Sequence, residues 1–448
     1  MSIFLCKFVD WCKFITNTHK THTIKHLMAE RRFFGQLLGQ KLRNSMVEKE
    51  GGVSLNKEVW LRFKRNKMAT TSLVVIILFA LVAILGYLIT PDSTPYCNQQ
   101  YLELATQKPG SQATFLNVME NQEQPRTSVF KKMLYGKPLP YYAYPIHKYR
   151  FFADSLRVEL HTGSMPNNGE KRTFSLADIA FAIDPAKGVS HTQSQTSFYD
   201  LQGQRHTYNI EKLRNYVRAN FIENRTFVLG TDRYGRDMLS QLMIGTRVSL
   251  SVGFIAIAIA LLIGITLGAL AAYRGGWVDS VIMWLINVVW SIPTVLLVIA
   301  ITFALGKGFW QVFVAVGLTM WVDVARVVRG QVLGIREKEY VEAARALGYR
   351  TFRIIFRHIL PNVLGAVIVI AASNFASAIL LEAGLSFLGI GVQPPMPSWG
   401  TMVKENYGYI LLDSAYLALL PGFAIMIIVL AFMLVGNGIR DALDVKNK

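Results

Sequence analysis

The sequence contains long stretches without Asp, Glu, Lys or Arg, separated by charged segments. A helix needs about 20 predominantly apolar residues to cross the hydrocarbon core of a bilayer. Any one stretch could be a buried core helix, but so many in one chain are typical of a polytopic membrane protein. The uncharged stretches are residues 68–91, 248–273, 280–306, 308–322, 358–381 and 414–439. This pattern predicts six transmembrane helices.

The fourth stretch, residues 308–322, has 15 residues and is too short to span a bilayer alone. Asp323 and Arg326 follow it, three residues apart on one helical face. At that spacing we expect the two side chains to pair at the membrane boundary and to let the helix continue. The stretch is therefore counted as a span.

The positive charge of the chain is concentrated in two segments. The net charge is +18, although only 17% of the residues are charged. Residues 1–68 carry a net charge of +9 and residues 326–358 carry +5. Short basic segments beside spans stay in the cytoplasm, and both segments fall on that side only if the fourth stretch spans. The charge therefore predicts two cytoplasmic termini and needs no nucleic-acid partner.

The composition excludes several other classes of protein. Hydrophobic residues make up 52% of the chain, which excludes intrinsic disorder, and three cysteines in 448 residues exclude a disulfide scaffold. The sequence has no G-x-x-x-x-G-K-[ST] phosphate loop, no H-E-x-x-H motif and no catalytic set within the spans. These absences favour a protein that is not an enzyme, and we expect no catalytic residue, no metal site and no cofactor bound by this chain.

The chain divides into four segments on this basis. Arg157–Leu160 alternates like a strand, and Ile210–Ile222 has the period of an amphipathic helix. The expected fold is an all-α polytopic membrane protein with six transmembrane helices, plus a small mixed α/β extracytoplasmic domain inserted between helices 1 and 2. Cys97 is the only cysteine of that domain, so no disulfide forms within it. The segments are a basic cytoplasmic segment (1–68), transmembrane helix 1 (69–90), the inserted domain (91–229) and a core with helices 2–6 (230–448).

The N-terminal segment carries His19, His22 and His26 at helical spacing. A solvated polar tail is the favoured interpretation, because no Cys or carboxylate completes a metal-binding set. Met28 opens a stretch typical of a cytoplasmic lead-in. Residues 1–27 could therefore precede the true start, which is a hypothesis.

Several residues within the spans are candidates for the passage or for helix packing. Gly264 and Gly268 belong to a stripe of small residues in span two, which suits either packing within the chain or contact with another subunit. Pro293 and Pro421 are expected to interrupt spans three and six. Asn374 is polar within span five, so it should face protein or a cavity and not lipid.

The cytoplasmic loop of residues 326–361 has a distinctive local pattern. A short helix is predicted over Tyr340–Leu347, Gly348 can end or turn it, and a second helix is predicted over Thr351–His358. Such a loop could dock in a groove of a cytoplasmic partner and pass motion to the spans. It could equally lie on anionic lipid through its arginines.

Four sequence motifs resemble those of one protein family. Glu342-Ala343-Ala344, then Gly348, then Ile359-Leu360-Pro361 resembles the EAA loop of permease subunits of ATP-binding-cassette (ABC) importers. The run Gly230-Thr231-Asp232-Arg233-Tyr234-Gly235-Arg236-Asp237 is similar to the G-T-D-x-x-G-R-D signature of the peptide-importer branch. Leu385–Gly389 with Pro397–Gly400, and the ending Arg440–Asp444, look like that branch as well. The resemblance covers residues 228–448 and the first span.

The resemblance implies the C-type permease subunit of a dipeptide/oligopeptide importer in a bacterial inner membrane. Its partners would be a second, homologous permease in a heterodimer, two ATP-binding subunits that use ATP and Mg²⁺, and an extracytoplasmic solute-binding protein. The residues implied in coupling to the ATPases are Glu342, Ala343, Ala344, Gly348, Ile359, Leu360 and Pro361. The role of Gly230, Thr231, Asp232, Gly235, Arg236 and Asp237 is open, with a turn or a helix cap at Asp232 as the plain alternative.

Two features depart from the family pattern. Residues 91–229 form a much longer link than is usual between spans one and two, and Val445 replaces the usual final proline. The inserted segment could contact the binding protein, close over the passage or only stabilise the fold. A permease of the same family for nickel or another small solute remains open. A self-contained channel or carrier is less favoured, because Asp323 and Glu382 are interpreted as charges at the ends of spans.

Overall fold

A computed structural model describes residues 55–122, 127–163, 168–192, 194–306 and 308–443. The basic segment up to residue 54, with its histidines and Met28, lies outside the described residues, as does Val445. Of the first compact unit, residues 1–62, only the start of helix α1 (Leu55–Arg65) is described. The second unit, residues 63–448, holds every other described element.

Helix α2 (Lys67–Leu85) is the first apolar helix. The Asn66 side chain caps its start by accepting a hydrogen bond from the Ala69 backbone N–H at 3.2 Å. Gly86, with φ +41°, ends it. Apolar residues surround the helix on all sides, as expected where lipid is the solvent.

Residues between α2 and the next apolar helix form two antiparallel sheets and three short helices. The five-stranded sheet has the order β4-β3-β2-β1-β8 and the three-stranded sheet the order β5-β6-β7. Leu116, Leu156 and Leu213 are fully or almost fully buried in the core between the larger sheet and its helices. The strands are β1 (Ser111–Met119), β2 (Tyr141–Phe151), β3 (Ser155–Leu160), β4 (Lys171–Ser175), β5 (Ser190–His191), β6 (Gln195–Tyr199), β7 (Arg205–Asn209) and β8 (Ile222–Phe227), and the helices are α3 (Val129–Tyr135), α4 (Leu176–Ala180) and α5 (Ile210–Asn220).

The rest of the described chain is a helical bundle. Helices long and apolar enough to cross a membrane are α2, α6, α9, α12 with the turns before it, and α14. The helices after the inserted domain are α6 (Met238–Arg274), α7 (Gly276–Ser291), α8 (Thr294–Leu305), α9 (Phe309–Ile335), α10 (Glu339–Ala346), α11 (Thr351–Ile354), α12 (Leu360–Phe387), α13 (Trp399–Asn406) and α14 (Tyr416–Leu443). The protein is thus mostly helical and polytopic.

The third predicted span is broken in the structure. Helices α7 and α8 pass the test for a span only as a pair, and they are bent by 94° at Ile292 and Pro293. The described residues therefore give five spans, or six if the bent pair counts as one. Pro421 behaves differently from the expectation, because α14 continues through it. It is the sixth residue of that helix, so its missing N–H removes one bond, to the Leu417 carbonyl, and the helix tolerates this loss.

The stripe of small residues on α6 packs against α9 of the same chain. A Cβ atom at Gly264 would lie 2.7 Å from the Trp321 carbonyl oxygen, and one at Gly268 would lie 2.5 Å from that of Ala325. Glycine therefore lets the two helix backbones approach closely. Packing within the chain therefore explains the stripe. Because α9 already covers this face, it is not free to contact another subunit.

Arg326 does not pair with Asp323 as expected. Its guanidinium lies 3.7 Å from the ring centre of Trp290 and donates to the Asn287 side chain at 3.4 Å. Helix α9 nevertheless continues past the charged positions, because its core-facing residues keep their helical spacing up to Val332. The long helix was thus correctly expected, but for the wrong local reason.

Candidate functional site

The loop between α9 and α12 is held firmly against the bundle. Val341 and Ala344 on α10 are buried, as are Ile354, Ile355 and Ile359 further along the loop, in one hydrophobic core with α6 and α9. Residues Ile355–Ile359 form a π-helical turn that joins α11 to α12 without a break in the helical rod. The loop is therefore packed into the bundle and is not a solvent-exposed connection.

Gly348 ends α10 in a left-handed turn. Its φ is +75°, the Gly348 N–H donates to the Arg345 carbonyl at 2.9 Å, and the Tyr349 N–H donates to that of Ala344 at 3.1 Å. This pair of bonds is a Schellman motif, in which the left-handed position favours glycine. No atom lies within 4 Å of a Cβ built at Gly348, so conformation and not space requires glycine there.

The residues implied in coupling separate into an outward and an inward group. Glu342 and Ala343 are exposed on α10, as is Gly348. Ala344 is only 4% exposed and faces the core, so of the two adjacent alanines only Ala343 is open to a partner. Ile359 is buried, Leu360 half-buried and Pro361 exposed. The outward side also carries large apolar side chains, with Leu347 72% and Phe352 71% exposed.

The other end of the bundle is built around the turn of Gly230 to Asp237. Asp232 accepts the backbone N–H groups of Tyr234 and Arg236, each at 2.9 Å, and forms an ion pair with the Arg236 side chain at 2.6 Å. Arg236 also pairs with Glu405 on α13 at 2.6 Å. Asp232 is thus the centre of a turn, whereas the cap of α6 is Asp237, which accepts the Ser240 N–H at 2.8 Å. Of the two plain alternatives for Asp232, the structure therefore has the turn and not the helix cap.

The same turn joins the inserted domain to α6. Thr231 donates its hydroxyl to the Leu104 carbonyl and accepts the Gln107 N–H at 2.9 Å. A Cβ at Gly230 would overlap the Gln107 carbonyl oxygen, and one at Gly235 that of Tyr101. Both glycines have positive φ, so both conformation and space exclude a side chain. Burial raises the pKa of the nearby Asp237 carboxyl, against hydrogen bonds from Ser240.

Glu382 is a buried residue that the sequence pattern misplaced. It was interpreted as a boundary charge, but it is 0% exposed. Its carboxyl accepts from the Ser386 hydroxyl at 2.7 Å and from the Ser249 hydroxyl on α6 at 3.4 Å. Uncharged runs cannot find such a residue, because a charge that ends a run need not lie at the membrane surface. The serine one turn later was the available signal.

A cleft opens in the bundle beside the bend of the third span. It has a volume of about 640 Å³ and is lined mainly by apolar side chains of α8, α9 and α12. Asn374 on α12 lines it and donates to the Met320 carbonyl at 3.5 Å, and Asp323 and Thr319 on α9 line it too. Pro293 lies at the bend between its lining residues Ile292 and Thr294. The cleft therefore brings together Asn374 and the bend, whereas Gly264 and Gly268 pack elsewhere.

Comparison with known proteins matches the chain in two parts. Residues 264–448 match the model for the binding-protein-dependent transport system inner membrane component. Residues 54–109 match the model for the N-terminal transmembrane domain of oligopeptide transport permease C. The chain is 40% identical over 241 residues to the glutathione transport system permease protein GsiD of Pectobacterium atrosepticum, covering 54% of this chain and 80% of that protein. The chain belongs to the family of binding-protein-dependent transport permeases.

A second relative agrees with membership of this permease family. The chain is 43% identical over 219 residues to the dipeptide transport system permease protein DppC of Alkalihalophilus pseudofirmus, which covers 49% of this chain and 72% of that protein. Among solved structures, the inward-facing MetNI methionine ABC transporter is 22% identical, with a TM-score of 0.40, over 46% of this chain and 98% of that chain. Permeases of this family are multi-pass subunits of the inner membrane and transport components, not enzymes. Residues 110–263 lie in neither family-model match.

Proposed function

We propose that this chain is the C-type permease subunit of an ATP-driven peptide importer. It forms half of a passage with a second, homologous permease. Two ATP-binding subunits, which use ATP and Mg²⁺, dock on the loop between α9 and α12, and a separate binding protein delivers solute on the opposite side. The relatives named for dipeptide and glutathione transport support a peptide cargo.

The observation that carries this proposal is the shape of the loop. Helix α10 is fixed by its buried side and presents Glu342, Ala343 and Leu347 on its other side. A rigid helix with an exposed apolar edge suits a groove on a partner. A partner that pushes on it would move α12, because the π-helical turn continues directly into that helix.

The orientation follows from the same loop. If the ATPases bind α10, then the loop and both termini lie in the cytoplasm. The inserted domain then lies outside, where it is joined to the turn of Gly230 to Asp237. The cleft beside the bent third span is the candidate passage, with Asn374 and Pro293 at its wall and bend.

The coupling assignment is tested with Glu342→Lys and Gly348→Asp in the reconstituted transporter. Both positions are exposed, so we expect normal insertion, loss of peptide uptake and loss of its link to ATP hydrolysis. Arg172→Glu in the inserted domain is the exposed control. Wild-type uptake and ATPase stimulation in both loop variants would refute the assignment.

The cargo is tested separately by uptake of labelled dipeptides, longer peptides, glutathione and Ni²⁺ with the cognate binding protein. Peptide uptake is expected. Uptake of nickel alone would overturn the cargo and leave the family assignment intact.

A further inference from the structure

Helix α3 of the inserted domain exposes an unusual amount of apolar surface. Val129 is 71%, Phe130 65% and Tyr135 67% exposed on a helix of seven residues. Single exposed apolar side chains are normal on a protein surface, but a group of large ones marks a contact site. Something other than water should therefore cover this helix.

One arginine holds α3 against the end of the first spanning helix. The Arg247 guanidinium donates to the carbonyls of Leu134 at 2.8 Å and Met133 at 2.9 Å, both near the end of α3. The same group donates to the carbonyls of Ala83 at 2.7 Å and Ile84 at 3.1 Å near the end of α2. Arg247 therefore satisfies the last carbonyls of two helices at once and fixes them at one level.

We expect the C-terminal ends of α2 and α3, where Arg247 binds both, to lie at a membrane boundary. Helix α2 has 19 residues, and at about 1.5 Å per residue its length is close to the thickness of the hydrocarbon core. A second attachment follows α3 directly, where the Lys137 N–H donates to the Ser93 carbonyl at 2.8 Å. Helix α3 is thus tied at its C-terminal end to the chain just beyond the span.

The end of the first span, beside which α3 lies, also exposes large apolar side chains. Leu81 is 47%, Ile84 59% and Leu88 39% exposed on the last turns of the first span. Two lysines, Lys131 and Lys132, lie between the apolar residues of α3, and within the described parts of the chain neither has a carboxylate partner. Apolar and aromatic side chains beside free lysines are typical of a helix that lies in a lipid headgroup region.

We propose that α3 lies in the lipid leaflet at the C-terminal end of α2. Val129, Phe130 and Tyr135 enter the boundary of the acyl chains, and Lys131 and Lys132 contact lipid phosphates. The inserted domain is then held on the membrane surface by α3 as well as by its two chain connections. Neither the peptide cargo nor the ATPase contact is needed for this arrangement.

The test places a nitroxide spin label at Phe130→Cys in the assembled transporter in phospholipid nanodiscs. Cys6 and Cys12 are first replaced by Ser, and the fully buried Cys97 stays. The matched control is Tyr142→Cys on β2 of the same domain, where the wild-type side chain is 58% exposed. Tyr135→Cys is the second reporter in case the label at 130 disturbs folding.

We expect the label at 130 to collide with oxygen, which concentrates in lipid, and to be shielded from a water-soluble nickel chelate. The label at 142 should show the reverse. If 130 and 135 are as accessible to the chelate as 142, α3 lies in water and the proposal fails. If both are shielded from oxygen and chelate alike, a protein partner covers α3, which equally overturns the lipid assignment.

Discussion

The two ends of the helical bundle are built on different principles. At the Gly230 to Asp237 end, buried charged side chains join two parts of the chain, with Arg236 between Asp232 in the same turn and Glu405 on α13. At the α10 end, the loop is held mainly by apolar packing, and charged groups such as Glu342 are exposed. The first end depends on a buried ion-pair network in which each charged group needs its partner. The second end is a packed loop whose outer side is exposed and free to bind another protein. Motifs of similar clarity in the sequence thus have different physical roles.

The largest effect should come from Arg236→Met. This change leaves Asp232 and Glu405 without their partner, with Asp232 only 2% exposed. Breaking a buried ion pair costs about 3–5 kcal/mol. We expect a marked fall in thermal unfolding temperature, or no accumulation in the membrane.

The control for that variant is Arg172→Met, which breaks an exposed pair with Glu170 and should lower the unfolding temperature far less. If the two variants lowered the unfolding temperature equally, the buried ion pairs would not be what stabilises the Gly230 to Asp237 end.

The next largest effect is the difference in stability between alanine variants of a buried and an exposed glutamate. Glu382→Ala leaves the Ser386 and Ser249 hydroxyls without their acceptor in a closed site, which should cost about 1–3 kcal/mol. Glu342→Ala on the exposed side of α10 should change stability by less than about 0.5 kcal/mol. Unfolding of the purified protein in detergent measures both.

Glu382→Gln keeps an acceptor and should recover much of the stability lost in the alanine variant. A variant as unstable as Glu382→Ala would show that the two serine bonds are not the source of the effect.

Two glycines give a smaller contrast. Gly348→Ala places a side chain at φ +75°, which should cost about 1–2 kcal/mol, although nothing occupies the space. Gly334→Ala in α9 also meets no atom within 4 Å but is helical, so it should be neutral or stabilising. The stability of both variants is measured by denaturation in detergent, and their transport by peptide uptake. An equal response of the two would argue against a conformational role for Gly348.

The smallest effect concerns Cys97, which is buried near the joined end. Burial raises the pKa of its thiol, so little thiolate forms near pH 8. In a protein with Cys6 and Cys12 replaced, we expect no maleimide labelling in membranes and full labelling after unfolding in SDS. Ready labelling in native membranes would mean that this end opens.

The sequence predicted much of the helical layout for clear physical reasons. Runs without charges identify spans because lipid excludes charge, and Gly348 marks the end of α10 because a left-handed turn favours glycine. The bend at Pro293 was anticipated, but its angle of 94° was not, because it depends on packing. The position of the inserted domain outside the cell stays a prediction.

The site was harder to predict where residues distant in sequence meet. Arg236 and Glu405 lie 169 positions apart, and nothing in either local pattern indicates their ion pair. Glu382 was misplaced for the related reason that its serine partner on α6 is 133 positions away. Local periodicity can show which face of a helix is apolar, but not which polar group on another helix meets it.

The inserted domain begins and ends on neighbouring strands. In the pairing of β1 with β8, Ser111 lies directly opposite Phe227, so the entry and exit of the sheet are only about 5 Å apart. An insertion with adjacent ends can be gained, lost or exchanged without moving the helices on either side. A short turn could therefore close the chain between these two ends. The domain has a second attachment in α3, so its removal would also leave the Arg247 guanidinium without the carbonyls of Met133 and Leu134.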